Sequence, residues 1–473
     1  MRILHVLVAV ICVTGLGTLA AAQNAPAAGS DDSAGRTTPA PAVSAIAGME
    51  SDTEGGATQD LPPIPAFLGG QQNSLALTTE MERSNYLRGG VNVGAGYNDN
   101  ALLAPVGQEG NFTYSVFPNI AIERTTSRTK LSLAYGGGLT VNQRLSNNDQ
   151  GSHHFTFDSV FRLSPHVDLH ASETFSLIAG IFGAGAGSNF QTGGQNGTII
   201  TPLANQRTSA TVVETNYHFA LKDLVGVSGS FYDLHFSDVS TGAGTLTNTQ
   251  TASGAAFWLH ELFHGDWAGV SYKFDRITYD PTGETRVQTI AFTDTLDLGR
   301  RIHINGFVGP EFSQNDGVAA DGGTGQASSF SSWGVSGGID AGWQSARTSV
   351  TGGYSKRVSD GGGVLGTVRL QSAHGGVRRE LATGWALKIE ATYGSNQAVT
   401  LSPAEATTAK KIQTTSVGAT LERNIGRSVG FQLGYFHDFQ DQSGSQDATL
   451  NYNTDRNRVM VTLSYQWAKP LGR

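Results

Sequence analysis

The stretch that decides the fold is Thr129–Asn142, which reads TKLSLAYGGGLTVN. Its apolar and polar positions alternate: Leu131 and Leu133 fall on one face, whereas Lys130 and Ser132 fall on the other. Successive side chains of a β-strand point to opposite sides of the sheet, so a period of two residues indicates a strand. The stretch therefore predicts a β-strand with one apolar and one polar face.

The same alternation repeats from Leu87 to Trp467, in segments of roughly ten to fourteen residues with turn residues between them. About eighteen such segments can be counted (16–18 is the range), and bacterial single-chain barrels have an even number of strands. Short connections such as Pro165–His166 alternate with long ones such as Ala179–Gln206. The pattern predicts an all-β fold, a closed up-and-down antiparallel transmembrane β-barrel with short periplasmic turns and long extracellular loops.

Three features favour a membrane barrel over a soluble β-sandwich, which also alternates. The segments match tilted membrane strands of about 9–11 residues, whereas soluble strands typically have about 5–6. The face opposite the apolar one carries Gly, Ser, Thr, Asn and scattered charge, which is too polar for a sandwich core. Tryptophans beside the short turns, on the apolar face, predict a girdle at the periplasmic membrane interface. These are Trp267, Trp343, Trp385 and Trp467.

The polar face is predicted to line the lumen, and its charges have mixed signs. The candidate lumen-lining residues are Lys130, Asp158, Arg162, Asp168, Glu214, Lys273, Asp275, Asp340, Arg369, Lys388, Glu390, Glu422 and Arg458. A ring of one sign would make an ion-selective pore. Interleaved signs leave two alternatives open, a transverse field across a wide pore or internal salt bridges that fill it, and the choice depends on the cross-strand register.

The chain divides into three regions. Residues 1–22 have the form of a signal peptide, because Arg2 precedes an apolar run and a small-residue cleavage site ends near Ala22. Residues 23–80 are rich in Ala, Pro and Gly and are predicted to be a disordered periplasmic segment. Residues 81–473 form the predicted outer-membrane barrel. Cys12, the only cysteine, lies in the predicted signal peptide, so the mature chain has no disulfide or thiolate chemistry.

The last predicted strand ends in Tyr465-Gln466-Trp467, which resembles the terminal signal that the barrel-assembly machinery recognises. Residues 87–467 as a whole look like the outer-membrane porin-like barrels of Gram-negative-type bacteria. The segment Gly96–Asn100, GYNDN, is similar to uncharacterised barrels of this kind. The resemblance implies a location in the cell outer membrane, with outer-membrane lipid and the barrel-assembly machinery as partners.

No catalytic, cofactor or metal site is predicted. Gly334–Gly338 matches G-x-S-x-G but lies inside a predicted strand with no helix after it. Gly361–Gly366 matches G-x-G-x-x-G without a βαβ unit and is interpreted as a tight loop. His153 and His154 are neighbours on a strand, so their rings are expected on opposite faces. The acidic long loops lack the regular ligand spacing of a calcium site.

The predicted function is a porin-like passive channel for small solutes. The first alternative is a non-conducting structural, adhesive or assembly barrel, which a lumen plugged by Ala179–Gln206 would favour. The second is an outer-membrane hydrolase, for which four histidines are predicted to point inward: His170, His218, His260 and His303. We expect no enzyme activity and no cofactor. The net charge of −8 argues against a nucleic-acid partner, and the oligomeric state stays open.

Overall fold

The computed structural model describes residues 85–101, 108–145, 150–179, 199–200, 205–237, 246–280, 283–299, 301–317, 329–363, 366–399, 411–426, 428–443 and 453–471. Eighteen strands make up this part of the chain. They are β1 (Tyr86–Asn98), β2 (Asn111–Thr125), β3 (Thr129–Asn142), β4 (Gln150–Ser164), β5 (Val167–Ala179), β6 (Asn205–Ala220), β7 (Asp223–Ser237), β8 (Asn248–Phe263), β9 (Asp266–Asp280), β10 (Gly283–Leu298), β11 (Ile302–Gly317), β12 (Ser329–Gln344), β13 (Thr348–Ser359), β14 (Val368–Ala382), β15 (Trp385–Ala398), β16 (Lys411–Ile425), β17 (Val429–Ser443) and β18 (Thr454–Pro470). Among the described residues, no helix is long and apolar enough to cross a membrane.

The strands form one closed sheet. Each strand pairs antiparallel with its neighbours in the chain, and β1 also pairs with β18 from Tyr86↔Pro470 to Asn98↔Arg458. Closure gives the first and last strands a partner on both sides, so neither presents a free edge to its surroundings. The predicted fold, a closed up-and-down barrel of about eighteen antiparallel strands, is confirmed.

The two ends of the barrel differ in the length of their connections. At the short-turn end, β4 joins β5 through residues 165–166 and β6 joins β7 through residues 221–222. At the opposite, long-loop end, β5 joins β6 through residues 180–204, while β9 joins β10 through residues 281–282 alone. The predicted signal peptide (1–22) and the predicted disordered segment (23–80) lie outside the described residues, as do most of the long connections.

The outer face of the barrel is apolar and the inner face is polar. Leu139 is 63% exposed and Val308 is 55% exposed on the outside, whereas Thr113 and Thr289, which point inward, are 4% and 3% exposed. This is the reverse of a water-soluble protein, in which large apolar side chains pack inside. An apolar exterior around a polar interior is the arrangement of membrane-spanning barrels, and the chain has the fold of the outer-membrane β-barrel class.

The GYNDN segment fastens the first strand to the last at the long-loop end. Asp99 accepts two hydrogen bonds from Asn457, at 2.7 Å from its backbone N–H and at 2.7 Å from its side-chain amide. The Asn100 side chain donates to the Thr454 hydroxyl at 3.2 Å, and the Asn100 backbone N–H donates to Asn98 Oδ1 at 3.1 Å. The segment therefore has a structural role at the junction where the chain closes on itself.

Candidate functional site

The wall of the barrel is interrupted between β12 and β13 at the long-loop end. The β12–β13 ladder runs only from Gln344↔Ser349 to Gly337↔Lys356, although β13 continues to pair with β14 as far as Ser359↔Val368. In the described part of the chain, Ser331–Ser336 is paired with β11 alone. We call Arg357–Gly363 together with Gly366–Leu370 the lumen hairpin, because these residues turn away from the wall into the barrel.

One face of the lumen hairpin packs on the inside of β9 and β10. Val358, which is 6% exposed, forms one buried cluster with Ile277, Tyr279 and Val287. These three residues alternate with outward-facing side chains such as Tyr272, so they belong to the lumen side of the wall. Since β9 and β10 are several strands away from β13 around the barrel, the contact runs across the lumen.

Hydroxyl and carboxyl groups fix the end of the lumen hairpin to three strands. The Thr367 hydroxyl lies 3.1 Å from the Tyr279 hydroxyl and 2.5 Å from that of Thr285. Asp360 accepts a hydrogen bond from the Thr249 hydroxyl at 3.2 Å. Asp360 and Thr249 are both almost completely buried. The strands β8, β9 and β10 therefore each hold the lumen hairpin by a polar contact.

Glu311 of β11 reaches beneath β12 to the lumen hairpin. Its Oε2 accepts a hydrogen bond from the Val358 backbone N–H at 3.1 Å. Gly334 of β12 lies beside this contact, and a Cβ atom placed there would lie 3.4 Å from the Arg369 guanidinium and 3.6 Å from Glu311 Oε1. The absence of a side chain at Gly334 leaves room for both groups on the inner face of β12.

Charged groups of both signs surround the lumen hairpin. Arg357 interacts electrostatically with Asp275, Glu311, Asp340 and Asp360. These carboxyl groups come from β9, β11, β12 and the end of the hairpin itself. Oppositely charged groups attract more strongly where water is excluded than in bulk water, so the arginine and the carboxylates hold hairpin and wall together.

The other face of the lumen hairpin meets the inner face of β16, two strands away from β14. Val368 and Leu370 form a buried cluster with Ile412 of β16, and Ile199 packs against it. The neighbouring residue, Ile200, donates its backbone N–H to Gln440 Oε1 at 2.8 Å, and Gln440 Nε2 donates to the Ile200 carbonyl at 3.2 Å. Ile199 and Ile200 belong to the β5–β6 connection, so this connection enters the lumen at these residues. The remainder of the segment named as a possible plug, Ala179–Gln206, lies outside the described residues apart from its strand ends.

The predicted lumen residues other than Arg369 lie on the inner face of their strands, where neighbouring opposite charges pair. The pairs are Arg162–Asp168 at 3.5 Å, Lys273–Asp275 at 3.1 Å, Lys388–Glu390 at 2.6 Å, Arg378–Glu422 at 3.7 Å and Arg458–Asp438 at 2.9 Å. Asp158 accepts from His170 at 2.7 Å, and Glu214 accepts from Asn216 at 2.6 Å. Between the two alternatives left open by the sequence, the register favours internal ion pairs along the wall.

Arg369 lies in the lumen because the hairpin turns inward, and not because of its side of β14. It shares the side of β14 with Val377, which faces outward and is 38% exposed. In an undistorted wall, Arg369 would therefore point away from the lumen. The inward turn of the lumen hairpin brings this side of β14 against β11 and β12, next to Glu311 and Gly334.

The prediction for Trp267 is wrong. This tryptophan packs against the buried cluster of Leu224, Phe257 and Leu259 inside the barrel and lies on the same side of β9 as Lys273. Alternation itself places Trp267 inside, because it shares its side of β9 with Gly269, Ser271 and Lys273; the error arose from its position beside a short turn. Trp343, Trp385 and Trp467 lie on the outer face near the short-turn end.

A further outward tryptophan was missed. Trp258 of β8 is 45% exposed, and its indole N–H donates to Asp223 Oδ1 at 3.2 Å. His260, two residues later, shares its outward face and lies 2.9 Å from the same carboxylate, so the prediction that His260 points inward is wrong. Residues 255–259 read AAFWL and are apolar on both faces, so alternation in the sequence does not decide the side of Trp258 or His260.

One His–Ser contact bears on the hydrolase alternative. His154 Nδ1 lies 2.7 Å from the Ser176 hydroxyl inside the barrel, while the adjacent His153 is hydrogen-bonded to Tyr135 on the outside. Ser176 is only 1% exposed, and within the described residues no carboxylate is found on the second nitrogen of His154. A nucleophile needs an accessible hydroxyl and an oriented base, so this pair does not make a hydrolytic site. The described residues contain no group of three potential metal ligands.

Comparison with known proteins gives structural likeness only. No family model matches the chain, and no curated protein matches it. Among solved structures, OccAB3 of Acinetobacter baumannii has a TM-score of 0.41 at 10% identity over 81% of this chain and 99% of that one. OccK9 (OpdG) of Pseudomonas aeruginosa has 0.42 at 11% over 81% and 98%, and the ferric-catecholate import receptor Fiu of E. coli K12 has 0.41 at 10% over 82% of both. At this distance the likeness assigns no function to the chain.

Proposed function

We propose that the chain is an outer-membrane channel for small polar solutes, passive in mechanism, whose passage narrows at the long-loop end. The observation that carries the proposal is a polar inner face enclosed by an apolar outer face in a closed barrel of eighteen strands. A barrel with this number of strands encloses an aqueous lumen unless something fills it. In this orientation the short-turn end faces the periplasm and the long-loop end faces the exterior.

The chemistry of the wall supports polar rather than apolar solutes. Its ion pairs, such as Arg162–Asp168 and Lys388–Glu390, cancel much of each other's charge while keeping hydrogen-bonding atoms at the lumen surface. No ring of one sign is present among the described lumen residues, so the wall favours neither anions nor cations strongly. Small neutral or zwitterionic solutes are the class that such a wall fits.

A non-conducting barrel is the second candidate, and the contents of the lumen favour it. The lumen hairpin packs against β9 and β10 through Val358 on one face and against β16 through Leu370 on the other. Ile200 adds a second segment, hydrogen-bonded to Gln440 on the far wall. If these segments block the passage permanently, the barrel serves a structural, adhesive or assembly role instead.

Deletion of the lumen hairpin separates the two candidates. Lys356 and Gln371 are cross-strand partners, so residues 357–370 can be replaced by an Asn-Gly turn, the natural two-residue connection of a β-hairpin. Wild type and the deletion variant are refolded from the mature chain, shown to be folded by heat-modifiable migration on gels, and measured in planar lipid bilayers. We expect wild type to conduct and the deletion to conduct more.

The other outcomes are equally informative. A silent wild type with a conducting deletion variant supports the plugged, non-conducting barrel. Two folded but silent proteins refute the channel. Uptake of uncharged sugars and zwitterionic amino acids into proteoliposomes then tests the solute class, and exclusion of both from a conducting barrel refutes the proposed class.

A further inference from the structure

We propose that the lumen hairpin is a gate with two positions. In the tucked position it lies inside the barrel as described above. In the wall-paired position β13 extends its ladder with the free part of β12, Ser331–Ser336, and the lumen opens. The inference rests on the proposed channel function, because it concerns what controls that passage.

The register of β12 and β13 already specifies the second position. The ladder ends at Gly337↔Lys356, and continuing it by single residues pairs Ser336 with Arg357 and Val335 with Val358. Val335 is 56% exposed on the outer face. In the continued ladder Val358 stands beside Val335 on that same apolar face, because cross-strand partners share a side of the sheet.

The free edge of β12 gives the wall-paired position a driving force. Backbone N–H and C=O groups at an unpaired strand edge lack the partners that a ladder supplies. A barrel wall in contact with lipid tolerates such groups only where protein or water covers them. In the tucked position, the contacts of this edge among the described residues include the Ser336 hydroxyl, which donates to the Lys356 carbonyl at 3.2 Å. Pairing with β13 would satisfy the edge directly.

Four glycines lie in β13 and β14 just before the point at which β13 leaves β12, in a stretch that is still paired with β12. Gly352 of β13 is the cross-strand partner of Gly375 of β14, and Gly353 and Gly376 flank that pair. A Cβ atom at Gly353 would lie 2.0 Å from Asp340 Oδ1, so the site depends on close approach. Side chains normally stiffen a pleated sheet against bending, and four glycines at one level of two paired strands remove that resistance.

In the tucked position the hairpin gains contacts inside the lumen that replace those of the continued ladder. The two positions therefore compete. Val358 leaves the lipid-facing side but gains the buried cluster of Ile277, Tyr279 and Val287. Its backbone N–H gives up a ladder bond to β12 but gains Glu311. Arg369 would face outward at the long-loop end in the wall-paired position, whereas in the tucked position it lies beside Glu311. For Val358, the contacts of the two positions therefore offset one another.

Engineered disulfides can hold each position. The only cysteine is Cys12, and Cys12→Ser provides a cysteine-free background. In the tucked position the hydroxyl oxygens of Thr285 and Thr367 are 2.5 Å apart, so T285C/T367C is placed to link there. V335C/V358C is placed to link only in the continued ladder. The matched control is S115C/T140C, a pair of cross-strand partners on the lumen side of β2 and β3, which take no part in the gate.

Each pair is oxidised in the folded barrel in lipid, and linkage is read from gel mobility with and without reductant. Single-channel conductance is then recorded for the same samples. We expect T285C/T367C to link and to lose the high-conductance level, with recovery on reduction. We expect V335C/V358C to form a disulfide as well, and we expect the oxidised protein to remain at the high-conductance level. The control should link without a change in conductance, and the four single-cysteine variants should behave as the background.

The gate is refuted if V335C/V358C remains unlinked in folded barrels while the control links fully. It is also refuted if oxidised T285C/T367C conducts like the background. Disulfide formation in V335C/V358C is read from gel mobility and not from conductance. It therefore shows whether the wall-paired position forms even in a barrel that does not conduct. Failure of the channel and failure of the gate are therefore distinguishable.

Discussion

The backbone N–H of Val358 donates to Glu311 Oε2 at 3.1 Å, although β12 lies between the strands that carry these residues. The contact is possible only because β13 passes beneath β12 on the lumen side. It joins the lumen hairpin to the wall at a point where both partners are buried, since Glu311 is 4% and Val358 is 6% exposed. This hydrogen bond is the most direct anchor of the tucked position.

Removal of the Glu311 acceptor should favour opening. Glu311→Ala leaves the Val358 N–H without this partner, at a cost of about 1–3 kcal/mol for a buried donor. We expect a larger fraction of recording time at the high-conductance level. Glu311→Gln keeps a carbonyl acceptor and should have a smaller effect, while the exposed Glu109→Gln serves as control. An unchanged open fraction in Glu311→Ala would contradict the role of this anchor.

Asp438 should be essential for the stability of the long-loop end. Arg456 and Arg458 both contact its carboxylate, at 2.7 Å and 2.9 Å, and Asp438 and Arg456 are 0% exposed. Asp438→Asn leaves two buried guanidinium groups facing each other without a counter-charge, and breaking a buried pair costs about 3–5 kcal/mol. Heat-modifiable migration on gels should shift to lower temperature. The control is Asp441→Asn on the same strand, and equal shifts in both variants would refute the prediction.

Tryptophan fluorescence should separate the outer girdle from the lumen. Single-tryptophan variants that retain Trp343, Trp385 or Trp467 place the indole on the outer face of the barrel. Brominated lipids, which quench fluorophores in contact with their chains, should quench all three. The variant that retains Trp267 should resist quenching, because this ring packs against Leu224 and Leu259 inside. Strong quenching of Trp267 would show that its side of the wall is assigned incorrectly.

The gate should respond to pH through Asp360, at the end of the lumen hairpin. Burial raises the pKa of the Asp360 carboxyl to about 6, and the hydrogen bonds from Gly362 and Thr249 and the charge of Arg357 oppose part of that rise. A water-exposed aspartate has a pKa near 3.9. The tucked position therefore binds this proton more tightly than the released one, and it gains stability as pH falls through 6 toward 4. Above about pH 6 this contribution no longer changes.

Single-channel recordings from pH 7.5 to pH 4.5 test this sign. We expect the high-conductance level to be less populated at pH 5 than at pH 7, and we expect Asp360→Asn to weaken that dependence. Glu311, Asp340 and Asp275 also surround Arg357, so the measured quantity is the difference between wild type and Asp360→Asn. Identical pH profiles for the two proteins, or opening at low pH that Asp360→Asn abolishes, would contradict the prediction.

Local alternation was enough to predict the wall of the barrel. In Thr129–Asn142 every second residue is apolar, and each side of a strand has only one environment when the sheet separates lipid from lumen. The same rule placed Lys388 and Glu390 inside and Trp467 outside without knowledge of any neighbour. The rule also places Trp267 inside, on the side of Lys273, so the girdle prediction for Trp267 departed from it.

Only the tertiary structure decided what occupies the lumen. The inward turn of β13 and β14 depends on contacts between Val358 and Ile277, and between Leu370 and Ile412, which are far apart in the chain. Alternation within one strand reports which side a residue faces, and it carries no information about a whole hairpin leaving the wall. Arg369 shows the limit: it lies on the outward side of its strand, yet it is found beside Gly334 in the lumen because the sheet itself folds inward.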